Sequence, residues 1–108
     1  MVRIALRSSL VVAAALVSAV WLQAAGHAVS QKGKVFAPGT LTVKVGDAVT
    51  FKNDDDVTHN AMSTSKGNEF NAKAQTPGSS ADVVFKTKGK VTVKCAFHPG
   101  MSLVVNVE

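Results

Sequence analysis

From Leu41 onward the chain alternates apolar and polar positions at period two, in short runs. Leu41, Val43 and Val45 point one way, with Thr42 and Lys44 between them. Gly46-Asp47 turns the chain, and Val49 and Phe51 continue inward against Thr50 and Lys52. Val83 and Phe85 alternate with Asp82 and Lys86, Val91 and Val93 with Thr92 and Lys94, and Leu103, Val105 and Val107 close the sequence. Alternation over such runs marks strands buried on one face. Turn formers separate them at Pro38-Gly39, Asn53 to Asp56, Pro77 to Ser80 and Lys88 to Lys90. Short strands at this spacing, with no helical pattern among them, predict an all-β sandwich or barrel. Ser63 to Gln75, rich in Ser, Asn and Lys, reads as a connection with one short strand near Phe70.

The N-terminal pattern is different. Arg3 and Arg7 precede an uncharged, Ala/Val/Leu-rich run from Ser8 to Leu22, and small residues follow at Ala24, Ala25, Gly26 and Ala28. That order predicts a secretory signal over residues 1–28, cut after Ala25, Gly26 or Ala28. The rival reading is an uncleaved anchor, since no charge appears from Ser8 to Gln31. Either way the remainder, residues 29–108, is one exported domain, expected in the periplasm and at a membrane only if the leader is retained.

Removing 28 residues lowers Lys plus Arg from 12 to 10 against 7 acidic residues, a net charge of +3. That permits steering toward an acidic partner. It offers no basic patch interleaved with aromatics, so nucleic acid is not expected. A domain of this size has a small core. Cys95 is the only cysteine, so no internal disulfide braces it, and a bound metal would help.

The chemistry concentrates at Cys95-Ala96-Phe97-His98-Pro99-Gly100-Met101, a thiol, an imidazole and a thioether in C-x₂-H-x₂-M spacing. The phase of Val91 and Val93 puts Cys95 on the inward face at its strand end, with His98 in the following loop and Pro99-Gly100 as the bend. A lone thiol in an exported protein calls for an explanation. A Cys–His nucleophile pair leaves Met101 idle, and structural zinc does not favour a thioether. With His59 as a second imidazole, the donors form the set of a blue-copper centre: two His and one Cys, with a weak axial Met. Asn60 is placed to brace His59. Asp54-Asp55-Asp56 reads as a solvated turn, lacking the spacing of a calcium loop. Met62 reads as packing or exposed, with a substitute axial ligand as the alternative, and Phe97, Pro99 and Gly100 give His98 uncharged surroundings.

These residues, with Phe36-Ala37-Pro38, Leu41 to Asp47, Val49 to Asn53 and Thr58-His59-Asn60, resemble the cupredoxins of the plastocyanin–azurin superfamily, and most the small amicyanin-type branch. The resemblance implies a Greek-key β-sandwich with one copper ion at one end, cycling between Cu(I) and Cu(II). It implies His59, Cys95, His98 and Met101 as ligands, with electrons passing the exposed edge of His98. Phe97 stands where similar proteins carry proline, and Gly100 where they carry an aromatic residue. The expected function is a one-electron carrier between periplasmic redox proteins, a cytochrome or a dehydrogenase, monomeric and with no turnover of its own. The alternative is a copper carrier or store without redox cycling. A third reading puts His27 at the mature N-terminus as a copper chelate.

Overall fold

The computed structural model describes residues 25–108. Among them the strands are β1 (Gly26–Lys32), β2 (Val35–Ala37), β3 (Thr40–Val43), β4 (Ala48–Asn53), β5 (Met62–Ser63), β6 (Phe70–Asn71), β7 (Ser80–Val84), β8 (Gly89–Cys95) and β9 (His98–Val107). They form two sheets, ordered β2-β1-β4-β7 and β3-β9-β8-β5-β6. The pairs β1/β4 and β3/β9 are parallel and the remaining pairs antiparallel. The expected all-β sandwich is therefore the fold, and β6 supplies the short strand expected near Phe70.

The period-two pattern builds the core directly. Val49 and Phe51 of β4, Val91 and Val93 of β8, and Leu103, Val105 and Val107 of β9 are buried between the sheets. Each such side chain contributes about 1.5–3 kcal/mol by leaving water. Phe51 packs edge-on against Phe36 with ring centroids 6.3 Å apart, and Phe70 lies 5.9 Å from both Phe51 and Phe85. The Phe70 contacts tie the second sheet to the first.

Three details depart from the sequence reading. Val45 is exposed rather than inward, because β3 stops at Val43 and the chain turns through Val45 and Gly46. Gly46 takes φ +95°, a conformation only glycine adopts without strain. The hairpin of β1 and β2 was not expected; β1 pairs along β4 from Gly26↔Ala48 to Gln31↔Asn53. Residues 1–24, most of the expected signal segment, lie outside the described residues, whereas the cuts after Gly26 and Ala28 fall within β1. Finally, the bend after Cys95 is Ala96-Phe97, with His98 already in β9.

The strand directions place the chemistry. β1, β4 and β8 end at one pole, with Gln31, Asn53 and Cys95, and β9 starts there at His98. Gly26, Ala48, Gly89 and Val107 mark the opposite pole.

Candidate metal centre

β8 carries Cys95 to the first pole in the buried phase of Val91 and Val93. The two-residue turn Ala96-Phe97 then brings His98 directly opposite Cys95. One step earlier Lys94 is paired with Ser102, so Pro99, Gly100 and Met101 are extra residues on the β9 side. An irregularity of this kind re-aims side chains at the rim of a sheet. His98 Nδ1 comes to 3.6 Å from Cys95 Sγ, and Met101 enters the core fully buried.

His59 arrives from the other sheet's loop, which is built on buried amides. Asn53 Oδ1 accepts from the Asp55 N–H at 2.9 Å, and its Nδ2 donates to the carbonyls of Val57 and Gln75 at 2.8 Å. The His59 and Gln75 main chains exchange both hydrogen bonds, at 3.0 and 2.7 Å. The Gln75 side chain in turn donates to the Phe51 carbonyl and accepts from Gln31. Buried polar groups are tolerated when paired in this way, and the pairing fixes the His59 backbone. Its Nδ1 lies 3.2 Å from His98 Nδ1.

Asn60 ties the two loops together, as its sequence position suggested. Its Oδ1 accepts the Ala96 N–H at 3.2 Å, and its Nδ2 donates to Asn71 Oδ1 and the Lys73 carbonyl at 2.9 Å. Asp55 was missed. Asp54 and Asp56 are exposed turn residues, as expected, but Asp55 Oδ2 faces His59 Nε2 at 2.9 Å. The His59 imidazole, then the Lys34 and Asp56 N–H groups, hold its carboxyl well below the usual carboxylate range. The spacing of four residues within a loop has no period that would have marked it.

The donor atoms of His59, Cys95 and His98 all lie within 4.8 Å of one another. An ion bound about 2.0–2.1 Å from imidazole nitrogen and about 2.3 Å from thiolate sulfur can span the 3.2 and 3.6 Å separations. The residues present therefore fit one metal ion, and a thiolate beside imidazoles suits copper. His59 and Cys95 are buried; His98 is half-buried next to Phe97, which is 52% exposed. Met62 sits partly exposed on β5 opposite Lys94. His27 lies at the opposite pole, its Nε2 2.9 Å from Asp47 Oδ2.

The profile of the copper-binding proteins of the plastocyanin/azurin family matches residues 23–108. A protein of Rhizobium leguminosarum bv. viciae named as a pseudoazurin is 35% identical, covering 89% of this chain and 68% of that protein. The methylamine utilization protein MauL of Methylorubrum extorquens is 38% identical over 63 residues, 57% of this chain and 54% of that protein. The aligned parts thus span from about half to about two thirds of these relatives' lengths. Among solved structures, the reduced state of an amicyanin variant is 28% identical with a TM-score of 0.69, covering 77% of this chain and 82% of that one.

Proposed function

The chain belongs to the plastocyanin/azurin family of copper-binding proteins, and we propose that it is a one-electron carrier of the blue-copper type. The observation that carries this reading is the convergence of His59, Cys95 and His98 from separate parts of the fold within 4.8 Å. Cys95 Sγ and the Nδ1 atoms of His59 and His98 would hold the copper, and Met101 would add its thioether. Bound copper supplies a one-electron Cu(I)/Cu(II) couple.

The protein's own residues do the rest. The Gln31–Gln75 and Asn60 hydrogen bonds hold the donors in place before any metal binds, so little has to move between the two charge states. Burial of His59 and Cys95 keeps water from the thiolate. The edge of His98, beside exposed Phe97, is the route for electrons to a docked partner. That partner is a periplasmic redox protein, a cytochrome or a dehydrogenase. The carrier works as a monomer after removal of the leader near residues 25–28, and turns over no substrate itself.

The test is to load the purified exported protein with copper and record optical and paramagnetic spectra. An intense visible thiolate-to-copper band with narrow copper hyperfine splitting is expected, and Cys95→Ser should abolish the band. A colourless protein that takes only Cu(I) would favour a carrier or store of copper instead.

A further inference from the structure

Asp55 makes contacts that a solvated turn residue has no need of. Its Oδ2 accepts the Lys34 N–H at 3.1 Å while facing His59 Nε2 at 2.9 Å, and its Oδ1 accepts the Asp56 N–H at 2.9 Å. The Lys34 donor comes from the two-residue turn between β1 and β2, where Gly33 and Lys34 both have positive φ, 64° and 58°. Both central residues of such a hairpin turn require that conformation. The hairpin that the sequence hid therefore supports the residue behind His59.

We propose that Asp55 is a positioning residue for the metal centre: its carboxylate keeps the His59 proton on Nε2, and its negative charge favours the oxidised state of bound copper. The second half rests on the electron-carrier reading above. A neutral imidazole donates from one nitrogen and accepts at the other. An ionised carboxylate can only accept, so Nε2 is the donor and the Nδ1 lone pair faces Cys95 and His98. A carbonyl in the same place would fix the proton equally well but without charge. The Asp55 side chain is only 13% exposed, so its charge acts through a medium less polarisable than water and stabilises the more positive of two metal states.

Two variants separate the halves. Asp55→Asn retains an oxygen for His59 and Lys34 but removes the charge and the acceptor for the Asp56 N–H; Asp55→Ala removes the oxygen as well. In the copper-free, ¹⁵N-labelled full chain, long-range imidazole ¹H–¹⁵N correlations should place the His59 proton on Nε2 in the parent and in Asp55→Asn. Asp55→Ala should lose that preference. In the copper-loaded proteins, Asp55→Asn should raise the Cu(I):Cu(II) ratio at a fixed ambient potential by about tenfold. A parent proton on Nδ1, or an unaltered tautomer in Asp55→Ala, overturns the positioning role. An unchanged or lowered Cu(I):Cu(II) ratio in Asp55→Asn overturns the charge effect. If the loaded parent lacks the visible band, the electron-carrier reading fails, while the tautomer result still judges Asp55.

Discussion

Each pole of the sandwich holds a histidine against an aspartate at 2.9 Å, His59 with Asp55 and His27 with Asp47. The contact is the same and the surroundings are not. His59 is fully buried, and its second nitrogen faces another imidazole and a thiol. His27 keeps 24% of its side chain exposed, and its Asp47 is occupied with main-chain donors, the N–H groups of Ala25 and Lys44. One pair leaves the far imidazole nitrogen facing Cys95 and His98. The other pins the start of β1 to the turn before β4. Function thus comes from what the far nitrogen meets, not from the pair itself.

The difference should show first in how each pole tolerates the loss of its tie. Asn60→Ala removes an acceptor for Ala96 and two donated bonds next to His59. At roughly 0.5–1.5 kcal/mol net per bond, the copper-free protein should lose about 2–3 kcal/mol of unfolding free energy in urea. Copper release should also accelerate, since His59 and the Cys95 turn would no longer be joined. Wild-type stability and release in this variant would mean that the two loops are held by packing alone.

The second effect is pH dependence. The Asp47 carboxyl is held below its ordinary 3.8 by the Lys44 N–H first, and then by the His27 imidazole. A carboxyl whose folded pKa is depressed adds stability that is present above the unfolded value and lost as pH falls through the folded one. Below about pH 4 the parent's stability should therefore fall with a component that Asp47→Asn lacks. Asp55 is depressed further, so the opposite pole should loosen before the site pole does. Carboxyl NMR titration of the copper-free protein checks the order, and Asp55 titrating first would reverse the comparison.

How much of this could be read from the chain follows from the range of the interactions. Period-two alternation exposed most core strands because it reflects one local fact, which face is buried. Cys95 and His98 could be foreseen as neighbours because they share one short connection, and His59 could be foreseen beside them because few imidazoles compete with it. The hairpin of β1 and β2 was hidden: Gly26 to Ala28 look like the end of a leader, and Gln31 puts a polar residue on an inward position. Gln31 is explained only by Gln75, 44 residues away. Pro99-Gly100 looked like the bend, yet the pairing of Cys95 with His98 moved the turn to Ala96-Phe97 and made Pro99 to Met101 the irregular stretch. Local composition cannot report such long-range pairing.

Made in the full chain, which retains residues 25–28, His27→Ala should have the smallest effect, and its value lies in that contrast. The substitution removes one donor from Asp47 but leaves the Lys44 and Ala25 N–H groups on the carboxylate. The ring is partly in water, where such pairs contribute little, so the unfolding midpoint should drop by no more than about 4 °C. Because β1 runs from this pole toward the site, any disturbance would have to travel the six paired positions between Gly26 and Gln31 to reach Asp55. Those positions are fixed by parallel pairing to β4 and by the burial of Val29 and Gln31, so the visible spectrum and the Cu(I):Cu(II) ratio should match the parent's. A shifted spectrum in His27→Ala would show that the β1–β2 hairpin transmits strain from one pole to the other, and that the two histidine–aspartate pairs are one device rather than two.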